Sequence, residues 1–124
     1  IVPGVYLGDT NEVVIATVGH GTAGGPHVPA TGEGHGSANL TVHESFHSVD
    51  MGGGGAARSA SDADYVAART ADLATLSAYE LQAGSAGQQE TYAESAARYY
   101  GGEATDAANH PNLHDYWAKH PPTP

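Results

Sequence analysis

The sequence predicts an α+β domain in which strands come first and helices follow. Two observations lead to this prediction. The segment before residue 19 contains short apolar runs separated by a turn cluster, whereas the segment after residue 38 is rich in alanine and carries several helix-capping signatures. A length of 124 residues corresponds to one domain, so residues 1–124 are expected to fold as a single unit.

Residues 1–18 are predicted to form the strands of a small N-terminal sheet. Val5-Tyr6-Leu7 is a short β-type run, and residues 8–11 form a turn cluster that contains Gly, Asp and Asn. Residues 13–18 are apolar and largely β-branched, which predicts a buried strand. The two runs indicate a hairpin or two neighbouring strands, which we expect to pack on the first helix.

A long loop is predicted over residues 19–38, which are rich in Gly, Pro and His and show no periodicity. Loops of this length inside a compact domain are usually functional or mobile. Its histidines are candidates for a second metal or for substrate contact, although a histidine in a glycine-rich loop is more often simply solvated. The same alternatives apply to the histidines around the last predicted helix. The residues concerned are His20, His27, His35, His110, His114 and His120.

Residues 39–119 are predicted to be mainly helical. A first helix covers about 40–51, with Ser37 or Asn39 as its N-cap and Gly52 at its end. An apolar stripe gives this helix one face to bury. The stripe consists of Val42, Phe46 and Val49.

Three further helices are predicted. A Ser-Asp-Ala-Asp signature begins a second helix over about 62–77, and an alanine-rich third helix over about 87–100 ends at two glycines. Pro111 suits the first turn of a last helix over about 111–119, and two later prolines prevent its continuation. The core residues expected on this helix are Leu113, Tyr116 and Trp117.

Charge and composition restrict the partners. The formal net charge is −10, with four cationic side chains, so neither nucleic-acid phosphates nor an anionic membrane surface would be neutralised. Neutral or basic peptides are compatible with this charge. Because cysteine is absent, any metal site must use His, Asp or Glu. No apolar run is long enough to span a bilayer, no targeting segment is visible, and Ile1 as first residue suggests a processed product or an excised domain.

The first helix carries the sequence His43-Glu44-Ser45-Phe46-His47. A spacing of four places both imidazoles on one helix face, one turn apart, where they can bind one zinc ion. Glu44 follows the first histidine and can reach a metal-bound water without binding the metal, which is the arrangement of the H-E-x-x-H motif. The alternative is a chance pattern on a solvated helix. The buried strand before the helix and its apolar stripe favour the metal site.

Asp50 lies three residues after His47, on the same helix face. An acidic residue near a helix C-terminus opposes the helix dipole, so a compensating contact is expected. One interpretation is an acceptor that orients a ligand imidazole through its second N–H. The other is an exposed residue in a fraying last turn. Spacing alone favours neither.

A catalytic zinc site needs a third protein ligand and one open position. Residues 48–52 do not fit the extended pattern in which that ligand follows the second histidine within a few residues, so it should come from another element. Glu90 and Glu94 lie four residues apart on one face of the third predicted helix. The spacing does not tell which of them would bind zinc, and a solvated helix face is the alternative.

Both motifs resemble a known family. The sequence from His43 to Asp50, followed by Glu90-Thr91-Tyr92-Ala93-Glu94, is similar to the catalytic domain of anthrax lethal factor and to the related Pro-Pro endopeptidases. The resemblance covers roughly residues 37–118. It implies a zincin-like fold of the gluzincin type, in which Glu90 is the third zinc ligand and Glu94 is a supporting residue.

The family also has a tyrosine shortly before the third ligand, and its hydroxyl stabilises the oxyanion. Leu76-Ser77-Ala78-Tyr79 is similar to the context of that tyrosine. Tyr79 precedes Glu90 by eleven residues, however, which is several more than in the family. The extra residues are expected in a loop over 81–88. The alternative is an aromatic residue packed on the core at a helix end.

The main hypothesis from these residues is a zinc-dependent endopeptidase with zinc on His43, His47 and Glu90. Glu44 would take a proton from zinc-bound water, and Tyr79 would donate to the oxyanion. One alternative is a non-catalytic zincin-fold module that binds or supports a larger assembly, although the intact Glu44 argues against it. Another is the protease domain of a bacterial toxin or effector. We expect a peptide or protein substrate and a secreted or extracellular location.

Overall fold

The computed structural model describes residues 4–17, 27–32, 35–52 and 55–122. Within these ranges the chain is α+β, as predicted, with a two-stranded sheet before six helices. The strands are β1 (Gly4–Leu7) and β2 (Glu12–Ile15). The helices are α1 (Leu40–Met51), α2 (Arg58–Ser61), α3 (Ala63–Asp72), α4 (Ser85–Tyr100), α5 (Asp106–Asn109) and α6 (Pro111–Lys119). None of these helices is long and apolar enough to cross a membrane.

The strands form an antiparallel hairpin, so the predicted hairpin is confirmed. Val5 pairs with Val14, and Leu7 pairs with Glu12. The prediction of a buried strand over 13–18 is wrong, because β2 ends at Ile15 and Val14 is 47% exposed; Val18 lies outside the described residues. Within the described ranges the hairpin packs on α1, and the exposed side chains alternate with half-buried ones along each strand.

Helix α1 has the predicted bounds because its ends are set by local signals. Of the two candidate caps, Asn39 is the N-cap, and its side-chain oxygen accepts a hydrogen bond from the Val42 N–H at 3.1 Å. Ser37 lies before the helix, and its hydroxyl accepts a hydrogen bond from the backbone N–H of Asn39 at 3.2 Å. Gly52 is the C-cap, as expected. The motif helix therefore begins and ends where its sequence predicts.

The later helices depart from prediction in detail. The helix expected over 62–77 is α3, which begins after the Asp62 cap but ends at Asp72, followed by a single 3-10 turn. Asp72 instead accepts hydrogen bonds from the backbone N–H groups of Asn112 and Leu113 at the start of α6. Helix α4 begins two residues earlier than predicted, and α6 has the predicted bounds. The four-residue helices α2 and α5 were not predicted.

An aromatic core joins α1, α3, α4 and α6. Trp117 is fully buried, donates its indole N–H to Ser95 on α4 at 2.9 Å, and meets Phe46 on α1 edge to face at 5.2 Å. Leu113 and Tyr116 are buried with it, so the predicted core residues of α6 are confirmed. Because α1 and α4 both pack on this cluster, the core fixes the two motif-bearing helices relative to each other.

Asp50 is buried at 1% exposure, so the interpretation as an exposed residue in a fraying turn is wrong. Its two carboxylate oxygens accept hydrogen bonds from the backbone N–H and the hydroxyl of Ser59, each at 2.7 Å. Ser59 lies in the first turn of α2, so Asp50 satisfies a free donor of that helix. These bonds engage both oxygens of the carboxylate with α2 rather than with a ligand imidazole.

Replacing Asp50 with Ala is expected to lower the free energy of unfolding by about 1–3 kcal/mol, because two buried donors of Ser59 would lose their acceptor. Urea denaturation of the metal-free protein measures this difference. The matched control is Asp9→Ala, which removes an exposed carboxylate from the hairpin turn. An Asp50→Ala protein as stable as the control would contradict this role.

Candidate metal centre

Helices α1 and α4 pack against each other and supply the candidate site from opposite sides. His43 and His47 lie one turn apart on α1, and Glu90 and Glu94 lie one turn apart on α4. The packing brings the two pairs together although they are more than 40 positions apart in the sequence. The structure thus joins the two motifs at one place.

Three potential ligand atoms converge there. Nε2 of His43 and Nε2 of His47 lie 3.0 Å and 2.9 Å from one carboxylate oxygen of Glu90. The two nitrogens are 3.2 Å apart. Tetrahedral coordination with metal–ligand bonds of ~2.0–2.1 Å separates the ligand atoms by roughly 3.3 Å. The group therefore has the size of one face of a zinc tetrahedron, and the part of the chain that the structure describes contains no other such metal-binding group.

The hydrogen-bonding roles of these atoms also fit a cation. His43 donates from Nδ1 to Glu94 at 2.8 Å, so in the neutral imidazole Nε2 carries a lone pair. That lone pair faces a carboxylate oxygen of Glu90, which is an acceptor as well. Two acceptors 3.0 Å apart repel each other unless positive charge lies between them. A metal ion, or a second proton on the imidazole, provides that charge.

The pKa values of the group agree with this electrostatic picture. Burial disfavours the charged form of His43, but the hydrogen bonds and charges of Glu90 and Glu94 outweigh burial and raise its pKa to about 9. Burial acts against ionisation of Glu90, yet the hydrogen bonds of His43 and His47 lower its pKa to about 2. The pKa of Glu94 is also lowered by His43, in spite of burial. Two ionised carboxylates therefore surround two imidazoles, which favours a dication.

Glu94 lies where a supporting residue would be expected. One of its oxygens accepts from Nδ1 of His43, and the other accepts from the backbone N–H of Ala38 at 2.9 Å. A carboxylate on the second nitrogen of a ligand histidine fixes the tautomer and the ring orientation. Spacing left the roles of Glu90 and Glu94 open, and the structure separates them, because only Glu90 faces both Nε2 atoms.

Replacing Glu94 with Gln is expected to weaken zinc affinity about 10–100-fold, because an amide orients the His43 ring less firmly than a carboxylate does. Competition with a zinc-binding dye measures the affinity. A change of less than twofold would contradict the orienting role. Loss of all zinc binding would instead make Glu94 a ligand.

Glu44 is buried beside His43 and faces a cavity of about 460 Å³. No described residue forms a hydrogen bond with its carboxylate. Burial raises the pKa of Glu44 above its ordinary value, although the two imidazoles act in the opposite direction. A Cβ on Gly4 would lie 3.0 Å from the Glu44 Cγ, so β1 confines the side chain from the far side. A confined carboxylate of raised basicity suits proton transfer.

Tyr79 lines the same cavity as His43 and Glu44, despite the long spacing in the sequence. The pKa of its hydroxyl is raised to about 12, first by partial burial and then by the charge and a hydrogen bond of Glu90. The ring is 57% exposed, so the alternative of a residue packed on the core is wrong. The structure therefore brings Tyr79 to the side of the metal-binding group.

The histidines outside the motif have separate surroundings. His35 donates from Nε2 to the Pro29 carbonyl at 2.8 Å and accepts the Ser37 N–H at Nδ1, so both nitrogens stabilise the loop. His27 is exposed and also has contacts, and His20 lies outside the described residues. The remaining three lie near carboxylates of α3 and α5: His110 and His114 at Asp106, and His120 at Asp64.

A buried ionic network beside the site was missed from the sequence. Glu80, Arg98 and Asp106 are all buried, and the Arg98 guanidinium lies 3.0 Å from Glu80 and 3.3 Å from Asp106. One signal was available, because Arg98 continues the spacing of four set by Glu90 and Glu94 and so lies on the same face of α4. Its two carboxylate partners come from a turn (Glu80) and from the first residue of the short helix α5 (Asp106), and they carry no such signal.

Comparison with known proteins gives no match. No protein-family model matches the chain, and neither a curated protein nor a solved structure is found to be similar to it. What the site can do must therefore be inferred from its own residues.

Proposed function

We propose that this chain is a zinc-dependent endopeptidase with a zincin-like fold of the gluzincin type. One observation carries the proposal: ligand atoms of His43, His47 and Glu90 converge, and His43 lines a cavity together with Glu44 and Tyr79. A structural metal site usually has four protein ligands, whereas three ligands beside an open cavity are typical of a catalytic one. The order of elements, a small sheet packed on the motif helix and helices after it, is compatible with this fold.

Zinc is the metal that the donor set favours. Two imidazole nitrogens and one carboxylate oxygen form a ligand set of catalytic zinc sites, and the chain has no cysteine to offer softer ligands. When bound, zinc would supply Lewis-acid polarisation of a carbonyl group and would lower the pKa of a water molecule.

Glu44 is the proposed general base. Its carboxylate accepts a proton from the attacking water as the water oxygen bonds to the carbonyl carbon of the substrate. The same proton then passes to the amide nitrogen, so that the carbon–nitrogen bond breaks and a neutral amine leaves. The raised pKa of Glu44 supports the first transfer, since a more basic carboxylate accepts a proton more readily.

Tyr79 is the proposed donor to the developing oxyanion. Its side chain lines the cavity together with His43 and Glu44, and the charge of Glu90 acts on its hydroxyl. A hydroxyl with a raised pKa keeps its proton at neutral pH and can donate it in a hydrogen bond.

The alternative is a non-catalytic module that keeps the metal for stability. The environment of Glu44 favours the enzyme, because its carboxyl, whose pKa is raised by burial, lines the cavity beside His43 and is not one of the three converging ligands. A structural metal site has no need of such a group.

Two measurements test the proposal together. Metal analysis of the purified protein is expected to give one zinc ion per chain, and mass spectrometry is expected to show cleavage inside peptides of a mixed library. The library should contain basic, apolar and proline-rich members, since a net charge of −10 favours basic substrates at long range. Chelation should abolish cleavage and added zinc should restore it. Full zinc occupancy without any cleavage would support the module instead.

A further inference from the structure

Tyr79 lies on a turn outside the helices and strands of the described chain. The turn is closed by a hydrogen bond from the Leu81 N–H to the Ser77 carbonyl at 3.0 Å. The tyrosine ring is largely exposed, so packing around it does not fix the hydroxyl. If Tyr79 is to act at the metal centre, other contacts must hold the turn in place.

The next residue, Glu80, supplies these contacts and is only 2% exposed. One carboxylate oxygen accepts from the backbone N–H and the hydroxyl of Ser77, at 3.1 Å and 2.8 Å. The other oxygen lies 3.0 Å from Nη1 of Arg98. The Glu80 carbonyl accepts from Arg69 at 2.6 Å and lies 3.0 Å from the Thr91 hydroxyl, whose single proton is shared with the Gly87 carbonyl at 2.7 Å. Glu80 thus organises the turn and attaches it to α4.

Arg69 lies on α3, and the other two points of attachment, Thr91 and Arg98, lie on α4, the helix that carries Glu90. Thr91 is adjacent to Glu90, and Arg98 lies two turns further along the same face. Arg98 also forms an ion pair with Asp106, whose carboxylate lies 3.3 Å from the guanidinium Nε but does not form a hydrogen bond with it. The turn that carries Tyr79 is therefore attached to α4 and α3 through the side chain and the carbonyl of Glu80.

We infer that Glu80 and Arg98 are positioning residues that hold the Tyr79 hydroxyl at the metal centre by docking its turn on α4. The inference rests on the proposed peptidase function. It also accounts for the long spacing between Tyr79 and Glu90, because a turn held by a buried ion pair does not need a short connection to the ligand.

The test combines Glu80→Gln with Tyr79→Phe. Alone, Tyr79→Phe should lower kcat by about 10²-fold, as expected for loss of one oxyanion donor. Alone, Glu80→Gln should lower kcat roughly tenfold with little change in KM, because misplacing a catalytic group by about 1 Å costs up to about 10²-fold. The double variant should lie within about threefold of Tyr79→Phe, since a hydroxyl that is absent cannot be misplaced.

Two further variants separate positioning from stability. Ser77→Ala removes one hydrogen bond to Glu80 without uncovering its charge, and should give a smaller loss of kcat in the same direction. Glu103→Gln is the matched control, because it removes an exposed carboxylate close to Arg98 in the sequence and should leave kcat unchanged. All variants are compared at equal zinc occupancy and equal folded fraction. Equal losses from Glu80→Gln with and without the Tyr79 hydroxyl would overturn the inference.

A second readout does not depend on activity. Fluorotyrosine incorporated at position 79 should give a ¹⁹F resonance that moves when zinc is added, and Glu80→Gln should reduce that movement and shift the metal-free resonance. No zinc response and no cleavage in the wild type would reject the proposed function. In that case the metal-free proteins still provide the test. A ¹⁹F resonance at position 79 that is the same in wild type and Glu80→Gln would overturn the positioning role.

Discussion

Replacing Glu44 with Gln is expected to lower kcat by about 10²–10⁴-fold while zinc content and fold stay unchanged. The amide keeps the shape of the side chain but cannot accept the proton of the attacking water. Zinc binding should be retained because Glu44 is not one of the converging ligands. Loss of a buried charge should, if anything, leave the fold slightly more stable, since burial raises the pKa of this carboxyl.

The measurement compares wild type and Glu44→Gln on one peptide library at matched zinc occupancy. Glu12→Gln is the control, because this substitution also removes one negative charge and Glu12 is an exposed carboxylate next to the turn of the hairpin. A wild type that cleaves nothing beyond what the variant cleaves would end the peptidase proposal. The module would then be the better description.

Replacing Glu90 with Ala is expected to abolish tight zinc binding, the largest effect on the metal itself. Glu90 provides the oxygen that faces both imidazoles, so its removal leaves two ligands on one helix. The wild type should gain stability with zinc, about 2.7 kcal/mol when free zinc is 100 times its Kd. The Glu90→Ala variant should show no such gain.

Thermal unfolding with and without zinc, together with metal analysis, measures this effect. Glu103→Ala is the control, since its carboxylate is exposed beyond the end of α4. Stoichiometric zinc in Glu90→Ala, combined with its loss in a Glu94 variant, would mean that the ligand lies one helical turn further along.

The sequence predicted the motif helices because their signals are local. Capping by Asn39, termination at Gly52 and the spacing of four in each motif all depend on residues within two turns of each other. Spacing did not distinguish Glu90 from Glu94, and the resemblance indicated Glu90; the packing of α1 on α4 places Glu90 opposite both imidazoles. The ion pair between Glu80 and Arg98 could not be predicted from the sequence either, because it joins a turn to a helix face.

The errors have physical causes as well. An apolar run over 13–18 does not reveal how many faces of the sheet are covered, and among the described residues β2 alternates exposed and half-buried side chains. The helices α2 and α5 contain too few residues to show a period. Asp50 has a partner in Ser59 that lies beyond a glycine tract, so neither alternative considered from the sequence was the observed contact.

The separation of the ligands along the chain has a consequence for folding. Because His47 and Glu90 are 43 positions apart, a metal ion that bridges them closes a loop of that size in the unfolded chain. Closing such a loop in the unfolded chain costs roughly 3 kcal/mol of chain entropy, whereas in the folded chain the two residues are already close together and no such cost arises. Zinc should therefore act as a cross-link that slows unfolding, as a disulfide would in a protein with cysteines. The chain has one Phe, one Trp and one Met, so its core contains few large apolar side chains. A metal cross-link would therefore contribute considerably to the kinetic stability of this protein.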